Sequence, residues 1–335
     1  MREHYFRAAA LSGLLALAGC ASNISLSEYP QDATLQPAAR LPTEADLSRQ
    51  GRAKVVVFET DDSNLEKARR AQAGNTLTRE IEQMLGANGA EVIDRGIATK
   101  LGQELQLAEV KGVGGYEGPS VANYAVKPTI TQAEYDMNYV PATSVTNKKG
   151  KTTHTPASYN HKASVNISLR VYEIPSLRQV KTVNGRALNA NTTSDNGSHD
   201  IAVSMLRAAT QKALNDASSE FLNLFTPKGY VLGRRDKGNK SIFRISIGSD
   251  QGIVPGNKIM LFTEQESIHP ITRKTTYDKI PVVSGKVTDN VTANDAWVVA
   301  EDDGKARRVR LGDLVEVVHR DSILKTLLKP LQIGQ

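Results

Sequence analysis

The groups in this sequence with reactive chemistry are few. There is one thiol, Cys20, in a chain of 335 residues. A lone cysteine cannot pair within its own chain, so the fold is expected to use no disulfide. The imidazoles of His154, His161, His199, His269 and His319 share no metal-ligand spacing. No paired carboxylates and no Ser-His-Asp arrangement stand out along the chain. The glycine-rich Gly112–Gly118 lacks the following Lys-Ser/Thr and the helix start that a phosphate loop requires, so it reads as a plain loop. Glu301-Asp302-Asp303-Gly304 reads as a hairpin turn. These absences predict a protein that is not an enzyme and carries no cofactor or metal.

The surroundings of Cys20 give its thiol a role. Arg2 and Arg7 make a positive start, and Ala8–Gly19 is apolar but shorter than the roughly 20 residues a membrane-spanning helix needs. Leu17-Ala18-Gly19-Cys20 resembles a bacterial lipobox. That resemblance implies a signal peptide over residues 1–19 and a mature chain that begins at Cys20, with diacylglycerol on the thiol and an acyl group on the new amine. One acyl chain holds a protein only marginally, at roughly 0.8 kcal/mol per buried CH₂, whereas three hold it firmly. With the thiol so committed, a cysteine nucleophile and a cysteine metal site are both excluded. Ala21-Ser22 places no Asp after the cysteine, and the resemblance then implies sorting to the outer membrane, on its periplasmic face.

Composition narrows the partners. The net charge is +6, and loss of Met1–Gly19 with Arg2, Arg7 and Glu3 lowers it by one. That mild excess suits an acidic envelope surface, peptidoglycan among them, and is no nucleic-acid footprint. Aromatic residues make up 5% of the chain, too few for stacking platforms. The length predicts two domains.

Residues 20–51 follow the lipidated cysteine and read as a tether or as an arm packed loosely on the domain, broken by Pro30, Pro37 and Pro42. Residues 52–226 then alternate strand and helix. Ala53–Thr60 is a short buried strand. Ser63–Leu85 is helical, with Leu77, Ile81 and Leu85 on one face and Gly74 as a break. Ala90–Arg95 is a strand, and Ile97, Leu101 and Leu105 mark a helix. Tyr124–Val140 is a strand whose Pro128 calls for an edge or a bend. Ser164–Ile174 alternates Val165, Ile167, Leu169 and Val171 with polar residues, and its hairpin partner begins at Arg178. Asp200–Phe225 is a long helix. The expected class is an α/β (α+β) sandwich with a mixed sheet. From residue 227 to 320, short strands about ten residues apart predict a small all-β barrel, and residues 321–335 form a tail.

The segments Ala53–Thr60, Glu91–Leu105, Val126–Tyr139 and Val165–Leu188 together resemble the periplasmic domain of the curli-secretion lipoprotein family (CsgG/HfaB-like). The same domain underlies the penicillin-binding-protein activator lipoproteins. Asp94-Arg95 before a helix and Glu104 within it are the strongest matches. Gly248, Gly252, Pro255, Gly256 and Gly312-Asp313 are similar to the C-terminal, SH3-like barrel of the flagellar H-ring protein. These resemblances imply an anchored homo-oligomer, a ring or scaffold that serves a secretion or surface-appendage machine. A monomeric activator of a peptidoglycan synthase is the alternative, and a secretion pore a third.

A pore of the curli type needs hairpins with an apolar stripe. Tyr139–Ala163 could fold as a hairpin around Asn147–Gly150, but its arms are polar, and Asn184–Asp200 is more polar still. Tyr139–Ala163 holds Lys148, Lys149, Lys151 and Lys162 and no acid. It is expected to be a basic arm that meets a partner.

Overall fold

The computed structural model describes residues 24–48, 51–94, 96, 99–111, 115–116, 122–194, 199–268, 270–273 and 275–319. Cys20, the lipobox residues Leu17, Ala18 and Gly19, Arg95, His269 and the tail from Arg320 lie outside them, as does most of Gly112–Gly118. Two sheets and their cores organise what is described, and strand outweighs helix.

Residues 24–48 are not a free tether. Strand β1 (Gln31–Ala33) pairs antiparallel with a strand some 200 residues later, Pro37 bridges to Leu311, and helix α1 (Glu44–Ser48) follows. Tyr29 and Ala38 are buried. The arm is therefore part of the second half of the molecule.

The first sheet begins with β2 (Lys54–Val57), whose Val55, Val56 and Val57 are all buried. Helices α2 (Glu66–Arg70) and α3 (Ala73–Ala87) follow. The break falls at Gln72, which takes a left-handed φ of 52°, and not at Gly74. Gly74 sits inside α3, where a Cβ would stand 2.7 Å from Asp62 Oδ2. The glycine admits the neighbouring loop; it does not end the helix. Leu77, Ile81 and Leu85 are fully buried, as their i, i+4, i+8 spacing predicts. Strand β3 (Glu91–Ile93) and helix α4 (Thr99–Lys111) lead to β4 (Tyr124–Val140). The hairpin β5 (Thr143–Thr146) and β6 (Thr152–Thr155) rises from its end, and the long strands β7 (Ser158–Glu173) and β8 (Arg178–Thr193) return. Helix α5 (His199–Leu222) closes the unit.

The order across the sheet is β3-β2-β4-β7-β8. β2 is parallel to both β3 and β4, and the rest is antiparallel, so the sheet is mixed as expected. Helices α2, α3 and α5 cover one face, burying Ile81, Leu206 and Phe221 against Val126 and Val165. Helix α4 covers part of the other, with Leu101 and Leu105 against Val56 and Ala125. Pro128 lies mid-strand and pairs in register with Leu169. It is tolerated because its other side faces Phe58–Asp61, where β2 has ended, and its carbonyl still accepts the Asp61 N–H at 3.1 Å.

The second sheet is a closed barrel. Strands β9 (Lys228–Lys237), β10 (Lys240–Ile245), β11 (Lys258–Ile268), β12 (Thr275–Val291), β13 (Ala296–Ala300) and β14 (Leu314–Val317) close in the order β9-β10-β13-β12-β11-β14-β9, with every pair antiparallel. β14 pairs with Lys228–Tyr230 at the start of β9, and β1 occupies the same edge further on, at Arg234–Asp236. The expected turn at Asp302–Gly304 is instead the start of the short helix α6 (Asp303–Ala306). The Asp302 carboxylate caps it by accepting the Lys305 N–H at 3.1 Å.

The two sheets touch. Arg52 Nε donates to the Asp250 carbonyl at 2.7 Å, and the His319 N–H donates to Asn223 Oδ1 at 3.1 Å. Gly89 and Gly252 meet backbone to backbone with φ of 86° and 82°, and a Cβ on Gly252 would stand 2.8 Å from the Gly89 Cα. Both conformation and space demand glycine there.

Candidate interaction surface

The most extended feature is the ribbon of β4, β7 and β8. Beyond Ala133 the residues of β4 become exposed, and at the tip all eight residues of β5 and β6 are exposed. A polar trio centred on a buried histidine ties the three strands together. His161, fully buried, meets the Tyr135 hydroxyl through Nδ1 and the Thr193 hydroxyl through Nε2, each at 2.8 Å. Both ring nitrogens are thus satisfied inside the ribbon. At its outer part Tyr139 and Tyr159 pack with ring centroids 5.0 Å apart.

The tip forms as the sequence predicts. Asn147 Oδ1 accepts the N–H groups of Lys149 and Lys151, each at 3.0 Å, and Gly150 takes the left-handed φ of 75°. Lys148, Lys149 and Lys151 are therefore gathered and exposed at one turn. Lys162 is not with them. It lies on β7 opposite Asp136 of β4, so it faces an acid that Tyr139–Ala163 does not contain. The basic arm is a three-lysine tip. Val145 is exposed at that tip with no apolar neighbours on its face, and no described helix is long and apolar enough to cross a membrane.

β8 is the outer strand of its sheet. It spans 16 residues, and among the described residues it pairs only with β7. Val180 and Leu188 on it are exposed. β3 forms the opposite edge. Unpaired strand edges are ready partners for another chain.

Sequence reasoning missed an ion cluster beneath α4. Glu109 receives Lys127 Nζ at 2.6 Å, Arg170 Nη1 at 2.9 Å and the Tyr172 hydroxyl. Burial alone would raise the Glu109 pKa, but the hydrogen bonds from Lys127 and Tyr172 and the charges of Lys127 and Arg170 outweigh it and hold the carboxyl below its ordinary value. Burial, and then the hydrogen bond to Glu109, push the Tyr172 hydroxyl up to about 12. The cluster clamps α4 to β4 and β7. Of the three residues matched to the curli-secretion pattern, Arg95 lies outside the described residues, Asp94 accepts the Gly96 N–H at 2.7 Å, and Glu104 pairs with Lys100 through Oε1 at 3.6 Å while its Oε2 is buried without a hydrogen-bond partner. Neither Asp94 nor Glu104 forms a site. His154 bonds Ser144 within the tip hairpin at 2.6 Å. Among the described residues no group of three His, Cys, Asp or Glu could hold a metal.

No family model matches the chain, and no curated protein matches it. Several solved structures share part of the fold. A neuraminyllactose-binding hemagglutinin homolog from Helicobacter pylori is 11% identical with a TM-score of 0.30, over 57% of this chain and 91% of that one. The PelC dodecamer from Paraburkholderia phytofirmans is 12% identical with a TM-score of 0.22, over 55% and 95%. Lipoprotein GNA1162 from Neisseria meningitidis is 11% identical with a TM-score of 0.20, over 49% and 99%. At such scores none of these likenesses carries an argument about function. The chain is similar to these structures in part of its fold, and the resemblance to the curli-secretion and flagellar H-ring families has no family-model match behind it.

Proposed function

We propose that the chain is a non-enzymatic lipoprotein, anchored through acylated Cys20 to the periplasmic face of the outer membrane. There it assembles with copies of itself into a ring or scaffold for a secretion or surface-appendage machine. The observation that carries the assembly is the long outer edge of β8, which no other strand covers among the described residues and on which the Arg186 N–H is held by Asp216 Oδ2 at 3.2 Å, in a sheet whose other edge strand is β3. One copy's β8 against the next copy's β3 side is a head-to-tail contact, the type that closes into rings. The barrel is read as SH3-like, and it stands beside the sheet as a second surface for partner proteins. The three-lysine tip is the candidate contact with an acidic partner or with peptidoglycan.

The packed arm weighs against the monomeric activator of a peptidoglycan synthase. Only three residues separate Cys20 from Ile24, and even fully extended the four steps between them span about 14 Å. An activator that reaches across the periplasm needs a longer free segment. The polar ribbon tip offers no apolar stripe to a lipid-spanning hairpin, which weighs against the pore.

The anchor is tested by substitution C20S in a Gram-negative host. Wild-type protein is expected in the outer-membrane fraction, with a mass increased by the acyl groups. C20S is expected to lose that mass and that fraction. An unmodified wild-type chain would refute the anchor.

A further inference from the structure

The barrel carries a basic mouth that the assembly described above does not use. Arg234 and Asp236 lie on β9, opposite Phe243 and Ser241 of β10 in the register. Cross-strand partners share a face, and Phe243 is fully buried in the barrel core. Arg234 therefore turns inward at one end of the barrel. Its Nη2 lies 3.2 Å from Asp236 Oδ2, and Asp236 also accepts the Ser241 hydroxyl at 2.7 Å. Arg234 Nε is buried without a hydrogen-bond partner.

The segment after α6 crosses this end and brings three further guanidinium groups. Together with Thr34–Gln36 of the N-terminal arm, Arg234, Arg307, Arg308 and Arg310 line a cleft of about 430 Å³. A second cleft of about 320 Å³ adjoins it and shares Arg234 and Arg307. Two acids stand close by. Asp236 is paired with Arg234. Asp313 is buried, accepts the Arg310 N–H through Oδ2 at 2.7 Å and keeps Oδ1 buried without a hydrogen-bond partner. Arg307 donates only to Asn239 Oδ1 at 3.1 Å, and neither Arg307 nor Arg308 has a carboxylate partner among the described residues. Two positive charges at this mouth are left without a paired carboxylate among the described residues.

We propose that the barrel mouth is a binding site for a phosphate group, held by Arg234, Arg307, Arg308 and Arg310. A phosphate monoester carries close to two negative charges and a phosphodiester one, and both present strong acceptor oxygens. Guanidinium groups bind it bidentately and with little reorganisation. Barrel mouths are recurrent ligand sites. The phosphate can come from a free phosphorylated compound or from a lipid headgroup, and the barrel stands on a short leash from the anchored cysteine.

Thermal melting of the full-length purified protein tests the site. The probes are inorganic pyrophosphate and glycerophosphoglycerol, the soluble phosphodiester headgroup of a lipid, each compared with sodium chloride at equal ionic strength. A ligand at about 100 times its Kd is expected to raise the melting temperature by about 5 °C. R307Q/R308Q, which changes two exposed side chains, is expected to melt like the wild type without ligand and to lose the rise. A rise with the phosphodiester assigns a lipid headgroup, and a rise with pyrophosphate alone assigns a free phosphorylated compound. No rise beyond the chloride control, or the same rise in R307Q/R308Q, overturns the site. Failure of the anchor or of the ring would leave these melts unchanged, so the two readings fail separately.

Discussion

Gly185 of β8 lies directly under Ala213 of α5: a Cβ on Gly185 would stand 2.1 Å from the Ala213 carbonyl oxygen. The helix is seated on the sheet at this point because one residue has no side chain. G185A should therefore push α5 off β8 and destabilise the protein by about 1–3 kcal/mol. The same change at Gly86, which is exposed in α3 with nothing within 4 Å, should stabilise by about 0.5–1 kcal/mol. Urea denaturation of both variants checks the opposite signs. A neutral G185A would show that the helix is not seated there.

Glu109 makes stability depend on acid. Its folded pKa is held below the ordinary 4.5, so the unfolded chain takes up the proton first as pH falls. The stabilisation is present above about pH 4.5 and is lost as pH drops through the lower folded value. E109Q cannot titrate. It should be less stable than wild type by about 1–2 kcal/mol at pH 7, and the difference should shrink as the pH falls below about 4.5. A difference that stays constant with pH would remove the carboxylate from the clamp.

His161 should couple to Tyr135. H161L leaves the Tyr135 hydroxyl in the ribbon without its imidazole, at about 1–3 kcal/mol. Y135F should relieve part of that cost, so the double variant should be more stable than the sum of the single variants predicts. Hydrogen exchange should quicken in β4, β7 and β8 beyond the trio before it quickens under α5. Strict additivity would mean that the trio does not hold the ribbon.

The parts of this fold that announce themselves are those with an unbroken period. β7 alternates cleanly, and Leu77, Ile81 and Leu85 keep the helical step, so both were legible. β9 was not. A register shift opposite Arg244 and Ile245 leaves Leu232 out of the ladder, and Arg234, Arg235 and Asp236 give the strand the look of a charged loop. β1 is three residues long and exists only because β9 offers it an edge. Gln72 takes a conformation usually reserved for glycine, so the break fell two residues before the glycine that seemed to signal it. The lysine tip was legible because its turn is local. The Glu109 cluster was not, because its partners lie 18, 61 and 63 residues away along the chain.

The three-lysine tip separates stability from contact. K148A/K149A/K151A should leave the unfolding free energy within about 0.5 kcal/mol of wild type, since the three side chains are exposed and bury nothing. Pull-down from envelope extracts, or retention on peptidoglycan sacculi, should fall for the triple variant. K162A should change retention little, because Lys162 stands opposite Asp136 and apart from the tip. Unchanged retention of the triple variant would leave the tip a solvated turn.

The most direct test of self-assembly is the mass and shape of the mature protein, extracted in mild detergent, by light scattering and negative-stain imaging. A closed ring of many copies is expected, and a charged or proline substitution at Val180 or Leu188 on the β8 edge should break it into smaller species. A monomer that persists at high protein concentration would contradict assembly through the sheet edges.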